Sequence, residues 1–114
     1  MYMAIIEEVR FQIVNEILKE GESLPSIRKL AKTLKVSVIT VKRAYKELEA
    51  LGYIITIAAK GSKVALGARE RIKEEFLHTI KGHVATAYRI AEKLNISDAE
   101  FGMLLELVKA ENHG

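Results

Sequence analysis

Two short runs of apolar residues with helical spacing lie between Pro25 and Gly52, and they constrain the fold more than any other feature of the chain. The first run is Ile27, Leu30, Ala31 and Leu34, and the second is Val41, Ala44, Tyr45, Leu48 and Leu51. Spacings of three and four residues place each run on one face of an α-helix. Ser26 and Ser37 precede the two runs, where a hydroxyl can accept a hydrogen bond from a free backbone N–H. We therefore predict two short helices joined by a turn at residues 35–37, with Gly52 ending the second helix.

Apolar spacing also predicts a helix before this pair, and residue type predicts a hairpin after it. Apolar residues recur at helical spacing in the first segment, which predicts a helix from about Met3 to about Lys19. The segment Tyr53–Ala58 is nearly all β-branched or aromatic and predicts a strand. Its expected partner is Val64–Leu66, with a turn at residues 59–62 between the two strands.

The rest of the chain predicts two more helices. Apolar residues with helical spacing indicate a long amphipathic helix from about Ala68 to Leu94, ending near Asn95. Ser97 and Glu100 then have the spacing of a capping box at the start of a last helix. The predicted fold class is therefore mostly α, with a small β-hairpin.

The basic residues are concentrated in the first part of the chain. Residues 1–66 contain eleven basic and seven acidic residues, a net charge of +4, whereas the remainder contains seven and eight, a net charge of −1. Residues 28–46 contain no Asp or Glu at all. Because the apolar run of the second paired helix faces inward, Lys42, Arg43 and Lys46 project from its other side. This pattern predicts a DNA-binding helix-turn-helix, against the alternative of a solvated basic face without a partner.

Several segments of this region also carry a family resemblance. They are Leu24-Pro25-Ser26-Ile27-Arg28-Lys29-Leu30-Ala31, Val36-Ser37 with Thr40-Val41, Ala44-Tyr45 with Glu47-Leu48-Glu49, and Gly52-Tyr53-Ile54. Together they resemble the winged helix-turn-helix domain of GntR-family bacterial transcription regulators, over roughly the first two-thirds of the chain. The Ala44-Tyr45 pair and the short C-terminal region resemble the YtrA subfamily in particular. The expected architecture is a winged helix-turn-helix domain followed by a two-helix dimerisation region.

The resemblance implies a role for individual residues. Arg28, Thr40 and Lys42 are expected to contact DNA, and Ser26 to hold a phosphate or cap its helix. The turn of the hairpin is expected to form a wing tip that enters the minor groove. The complete set of predicted DNA-binding residues is Ser26, Arg28, Ser37, Val38, Thr40, Lys42, Arg43, Lys46, Lys60, Gly61 and Lys63.

The chain departs from the family pattern at positions that bear on the target sequence. Val38 stands where relatives commonly carry Arg, so a methyl group that can contact thymine replaces an expected guanine contact. At the wing tip, formed by Lys60 and Gly61, Ala59 replaces a frequent Gly and Lys63 replaces a frequent Phe. The target sequence of relatives therefore does not transfer to this chain.

The last two helices carry more apolar surface than a small domain covers, which predicts association with a second copy. The alternative is that both helices fold back on their own domain. We assign residues 1–66 to a DNA-binding domain and residues 67–114 to a helical dimerisation region, as the resemblance also implies. The predicted dimer-interface residues are Phe76, Ile80, Val84, Tyr88, Phe101, Leu104, Leu105 and Val108.

Residue content argues against several other classes of function. The chain has no cysteine, which excludes disulfides, thiolate zinc sites and cysteine nucleophiles. His78 and His83 are poorly spaced for one helix face, so we expect no metal site. We find no nucleophile, phosphate loop or paired carboxylates, and expect neither catalysis nor a cofactor. No apolar stretch matches a membrane span or a signal peptide, so we expect a cytoplasmic protein.

The sequence therefore predicts a homodimeric, sequence-specific transcription regulator, a repressor that binds a pseudo-palindromic operator near its own operon. The resemblance suggests a transporter operon as the regulated neighbour. Two alternatives stay open at this point: a winged-helix module that binds protein, and a non-specific DNA-architectural protein. No group of polar residues identifies an effector ligand.

Overall fold

The computed structural model describes residues 1–113, and in that range it contains five helices and two strands. In chain order they are α1 (Tyr2–Val14), α2 (Ile27–Leu34), α3 (Val38–Ala50), β1 (Ile54–Ile57), β2 (Gly61–Val64), α4 (Ala68–Lys93) and α5 (Asp98–Glu111). The two strands pair antiparallel. The predicted fold class, mostly α with a small β-hairpin, is confirmed.

Two compact units make up the structure. The first is residues 1–75 and holds α1, α2, α3, the hairpin and the first turns of α4. The second begins at Phe76 and holds the rest of α4 and α5. The division falls inside α4, later than the boundary expected after Leu66. The functional assignment of the two parts stays a prediction.

The core of the first unit fixes α3 in place. Val41 and Leu48 of α3 have no exposed surface, and neither has Ile72 of α4. Ile13 of α1 and Ile54 of β1 are almost as buried, and α3 packs against α1, α2 and β1. Truncating a side chain of this kind to alanine costs about 2 to 5 kcal/mol. One side of α3 is therefore committed to packing, which leaves the other side to solvent.

The paired helices have the predicted bounds and caps. Ser26 Oγ and Ser37 Oγ each accept a hydrogen bond, at 3.1 Å, from the backbone N–H three residues further on. Lys35 ends α2 with a φ of 57° and so makes the turn between the helices. Leu34 and Leu51 were expected to face inward but are exposed, because each lies at the end of its helix beyond the packed turns.

The first helix is shorter than the sequence predicts. α1 ends at Val14 rather than near Lys19, and Glu16 adopts a φ of 58°. The N–H of Ile17 then donates to the carbonyl oxygen of Gln12 at 2.8 Å, which is the longer hydrogen bond of a Schellman motif. Glycine or asparagine is usual at the left-handed position of this motif. Because the residue at this position is Glu16, the sequence gives no sign that the helix ends there. The predicted helix is therefore about five residues too long.

The hairpin also differs from the prediction. The partner of β1 is β2 rather than Val64–Leu66, and the turn consists of residues 58–60 rather than 59–62. Ile57 is paired with Gly61 across the hairpin. Most of β2 consists of Gly, Ser and Lys, which have little strand propensity. Backbone pairing with β1, and not residue type, makes this segment a strand.

The loop before α2 adds a third, short segment to the sheet. Ser23 forms an antiparallel bridge with Lys63, and the N–H of Leu24 donates to the carbonyl oxygen of Ser62 at 2.9 Å. The sequence predicts only a loop there. These hydrogen bonds hold the hairpin beside the segment that leads into α2.

In the second unit, α4 and α5 pack through an aromatic pair. The rings of Tyr88 and Phe101 meet edge to face, with centroids 5.4 Å apart. The Tyr88 hydroxyl donates to the Asp98 carboxylate at 2.9 Å, and this hydrogen bond raises the pKa of Tyr88. Ser97 caps α5 by accepting the N–H of Glu100, as predicted. The Glu100 carboxylate accepts from the Ser97 hydroxyl at 3.4 Å rather than from the Ser97 N–H, so the predicted capping box forms only in its serine half. No helix within residues 1–113 is long and apolar enough to span a membrane.

Candidate nucleic-acid interface

The outward face of α3 carries the predicted basic residues. Lys42, Arg43 and Lys46 are exposed, whereas Val41 and Ala44 on the other side have no exposed surface. Because packing fixes the inward side, these three cations are directed away from the core. The structure thus places them on one surface, as the spacing predicts.

The first turn of α3 carries smaller side chains. The hydroxyl oxygens of Ser37 and Thr40 lie 2.7 Å apart and share a hydrogen bond. Val38 is exposed. Ile39 is 78% exposed, although it is not among the predicted DNA-binding residues. Ser37 and Thr40 therefore hold the start of the helix, while Val38 and Ile39 extend into solvent.

Arg43 makes a contact with α1 that the sequence does not predict. Its guanidinium carbon lies 4.0 Å from the centroid of the Tyr2 ring, and its Nη2 donates to the Tyr2 hydroxyl oxygen at 3.2 Å. A cation–π contact of this kind orients the guanidinium without neutralising it. Arg43 is therefore held against α1 while it contributes positive charge to the surface of α3.

The start of α2 is held against α3 by a tyrosine. Tyr45 is 5% exposed, and its hydroxyl donates to the carbonyl oxygen of Pro25 at 2.8 Å. Burial raises the pKa of Tyr45 to about 12, so the hydroxyl keeps its proton at neutral pH. Pro25 immediately precedes the cap of α2, and Arg28 is exposed on the first turn. The bond therefore positions Arg28 relative to the basic face of α3.

A groove of about 480 Å³ lies between the start of α2 and the hairpin. Ser26 and Arg28 line it from α2, and Lys60 and Gly61 line it from the turn of the hairpin and the start of β2. Residues from separate parts of the sequence are thus brought to one groove, two of them cationic. Lys63 is further along β2 and is partly buried.

The hairpin is connected to α3 by side-chain hydrogen bonds. Thr56 of β1 donates its hydroxyl to the carboxylate of Glu49, near the end of α3. The Thr56 hydroxyl oxygen also lies 3.2 Å from that of Ser62 on the paired strand. These hydrogen bonds fix the position of the hairpin relative to α3.

Two arginines at the start of α4 bind the carbonyl ends of α1 and α3. Arg71 Nη2 donates to the carbonyl oxygen of Leu51 at 2.6 Å, and Arg69 Nε donates to that of Val14 at 3.0 Å. The last carbonyls of a helix lack partners within the helix, and cations are favourable there. Sequence reasoning missed both residues. The sequence does carry a signal for them. Two arginines stand near the start of a helix, where acidic side chains are ordinarily favoured, and this indicates a partner outside the helix.

A second network joins α1, the start of the hairpin and α4. The Tyr53 hydroxyl donates to the Glu75 carboxylate, and Arg10 of α1 donates to the same carboxylate at 3.1 Å. Burial and the hydrogen bond to Glu75 both raise the pKa of Tyr53. The guanidinium groups of Arg10 and Arg71 lie over the Tyr53 ring, at 5.8 and 5.3 Å from its centroid. These contacts hold α1, the start of the hairpin and the first turns of α4 together.

The predicted dimer residues lie on apolar surface of the second unit. Six of the eight are exposed: Ile80, Val84, Tyr88, Leu104, Leu105 and Val108. The other two, Phe76 and Phe101, are partly buried. The four on α5 line one apolar groove of about 350 Å³. Phe76, Ile80 and Val84 follow one another at four-residue spacing along α4, which places them on one face.

The two histidines of α4 lie apart from these features. His78 and His83 are both exposed on the helix. Among residues 1–113, no three His, Asp or Glu side chains are close enough to hold a metal ion.

Comparison with known families and proteins gives both a family match and individual relatives. The model of a family described as "Bacterial regulatory proteins, gntR family" matches residues 1–64, which run from α1 to β2. The HTH-type transcriptional repressor YtrA of Bacillus subtilis is 35% identical over 81 residues, or 71% of this chain and 62% of that protein. The match therefore spans less than two thirds of that relative's length.

Solved structures extend the similarity over nearly the whole chain. A GntR family transcriptional regulator from Listeria monocytogenes superposes with a TM-score of 0.79 at 24% identity, covering 92% of this chain and 91% of its own. YtrA from Sulfolobus acidocaldarius, described as a GntR-family transcription factor, gives a TM-score of 0.55 at 30% identity, covering 99% and 90%. The first likeness establishes a shared fold and no more.

Proposed function

Because this chain belongs to the gntR family of bacterial regulatory proteins, as its sequence resemblance predicts, we propose that it binds specific DNA sequences and regulates transcription. The observation that carries the proposal is a set of exposed cations on elements that pack together: Lys42 and Lys46 on α3, Arg28 on α2 and Lys60 on the hairpin. α3 enters the major groove, and the turn of the hairpin lies in the adjacent minor groove. The family is described as regulatory proteins, which supports the expectation that this chain is not an enzyme.

The residues divide between positioning and recognition. Phosphates are contacted by the cations, by the start of α2 at Ser26 and by the hairpin at Gly61 and Lys63. Base edges are contacted from the first turn of α3, through Val38 and Thr40. Ser37 and Arg43 hold α3 in the orientation that these contacts require.

We further propose that the protein acts as a homodimeric repressor. Similarity to a relative named a transcriptional repressor supports repression. The exposed apolar residues of α4 and α5 support a dimer, with residues 67–114 as the dimerisation region and residues 1–66 as the DNA-binding domain. Two copies of α3 then bind half-sites about 34 Å apart on a pseudo-palindromic operator. The protein acts in the cytoplasm, where a bacterial operator is located.

Footprinting on the DNA immediately upstream of the coding sequence tests the proposal. The expected result is a protected site with two-fold symmetry that survives an excess of competitor DNA. Equal binding to every duplex would instead support an architectural role. Binding to none would favour the protein-interaction alternative.

Substitutions of two cations test the docking. Lys42→Ala and Arg28→Ala each remove one phosphate contact per protomer and so two per dimer. Each should therefore lower operator affinity and reduce the slope of log K against log salt by about two. Lys81→Ala is the matched control, because Lys81 is also an exposed lysine on a helix but lies in the second unit. Wild-type affinity in both Lys42→Ala and Arg28→Ala would show that α2 and α3 do not face the DNA.

A further inference from the structure

Ile39 is an apolar side chain left exposed on the basic face of α3. It is 78% exposed, whereas Val41, two residues later, is fully buried. Lys42, Arg43 and Lys46 follow Ile39 by three, four and seven residues, so all four side chains lie on the same side of the helix. A lone exposed apolar residue is ordinary on a protein surface. Its position on a cationic, outward face, at the N-terminal end of that face, is what makes this one informative.

The position of Ile39 along the helix is also informative. It is the second residue of α3, and the N-terminal residues of a helix that docks in the major groove are those that reach base edges. The neighbouring hydroxyls of Ser37 and Thr40 are bonded to each other at 2.7 Å. Ile39 is the most exposed side chain of the first turn, and Val38 beside it is also exposed.

The chemistry of the major groove restricts what an isoleucine can contact there. Every base pair presents hydrogen-bond donors and acceptors in this groove, and the 5-methyl group of thymine is the one apolar group among them. An isoleucine packed on a polar base edge would remove water without replacing its hydrogen bonds, which is unfavourable. Contact with a methyl group carries no such cost.

We propose that Ile39 packs on the 5-methyl group of a thymine in each operator half-site and so selects that base. The inference rests on the proposed function, in which α3 enters the major groove. The three cations on the same face favour a partner rich in phosphate over an apolar protein surface. Ile39 thus supplies sequence preference, while its basic neighbours supply affinity without preference.

A thymine scan of the footprinted operator tests this proposal. Each thymine of one half-site is replaced in turn by deoxyuridine, which removes only the 5-methyl group. Wild-type protein should lose about fourfold in affinity at one thymine, as expected for the burial of a single methyl group. Ile39→Ala should bind the intact operator more weakly and show no further loss when that thymine is replaced. Ile39→Val keeps a branched methyl surface and should retain the sensitivity.

Ile17→Ala is the matched control. Ile17 is 66% exposed and follows α1, so the variant should keep both the affinity and the deoxyuridine sensitivity of wild type. Because Ile39 is exposed, Ile39→Ala should also keep the wild-type unfolding midpoint. The inference would be wrong if wild type and Ile39→Ala were equally sensitive to deoxyuridine, or if no thymine were sensitive. Either result would still be compatible with DNA binding. Failure of wild-type protein to bind any specific site would overturn the proposed function as well.

Discussion

At the scale of single residues, Tyr45 joins the core of the first unit to its binding surface. Helical spacing predicts that its ring is buried, and it is 5% exposed. The hydrogen bond from its hydroxyl to Pro25 is not predictable from spacing, because the partner lies 20 residues earlier in a loop. A buried phenol needs a polar partner, and the Pro25 carbonyl supplies one.

Tyr45→Phe tests this contribution. The substitution leaves the carbonyl of Pro25 without its donor, so we expect the free energy of unfolding to fall by about 1 kcal/mol at pH 7. Urea unfolding of the two proteins measures the difference. Tyr2→Phe is the control, because that hydroxyl lies on a more accessible side chain and a smaller loss is expected.

The pKa of Tyr45 adds a dependence on pH. The folded state holds this pKa at about 12, above its ordinary value of 10.0. The stability that the protonated phenol contributes is therefore complete below pH 10 and is lost as the pH rises from 10 to 12. Phenylalanine does not titrate, so the advantage of wild type over Tyr45→Phe should vanish by about pH 11. A difference that stays constant from pH 7 to pH 11 would contradict the burial of this hydroxyl.

At the scale of elements, the sequence predicts the helices better than their ends or the sheet. Apolar spacing and serine caps are local signals, and they place α2, α3 and α5 correctly. The end of α1 has no such signal, because Glu16 adopts a left-handed conformation that ordinarily belongs to glycine. β2 is formed by backbone pairing with the adjacent β1, and the bridge at Ser23 by pairing with Lys63, far along the chain. Residue type indicates neither pairing.

The same division applies to the candidate interface. The exposed positions of Lys42 and Lys46 follow from the apolar spacing of α3, since residues that are not inward must be outward. The contact of Arg43 with Tyr2 spans 41 residues, and that of Arg71 with Leu51 spans 20. Contacts of this kind depend on how elements pack, so only the three-dimensional structure reveals them.

The turn of the hairpin makes a prediction that belongs to the element scale. Ala59 has a φ of 64°, where its Cβ is unfavourable, whereas Ala58 is outside this region. Ala59→Gly should therefore raise the free energy of unfolding by about 0.5 kcal/mol. Ala58→Gly, the matched control, should lower it by about 0.5 to 1 kcal/mol, because it only adds freedom to the unfolded chain. Thermal unfolding compares the two. Destabilisation by both substitutions would contradict the left-handed turn.

At the scale of the whole molecule, the two units carry different surfaces. The first unit carries the predicted DNA-binding cations and the positive net charge, and the second carries the predicted dimer residues, most of them exposed on α4 and α5. Overall, the chain has a net charge of only +3, which conceals this division. A surface of exposed cations suits phosphate, and an apolar one suits a second copy of the chain. The proposed function needs both.

Substitution of Leu104 and Leu105 tests the second surface. Leu104→Glu with Leu105→Glu places four charges in a symmetric interface, so we expect the dimer to weaken by about 3 kcal/mol or more, roughly 100-fold in Kd. Sedimentation velocity measures the shift to monomer. Leu66→Glu is the control, since Leu66 is 83% exposed and lies outside the second unit. An unchanged dimer would place the interface elsewhere.

The monomeric variant then links the two surfaces. Each phosphate contact contributes about −0.9 to the slope of log K against log salt, so the slope counts contacts. A dimer on a two-fold operator makes each contact twice. The Leu104→Glu, Leu105→Glu variant should therefore bind a half-site with about half the slope that wild type shows on the full operator. Lys42→Ala should then cost it about half the binding free energy that the same substitution costs the dimer, because one contact is lost rather than two. An unchanged slope would mean that one copy of the first unit makes all the phosphate contacts, and the two-fold arrangement would then be wrong.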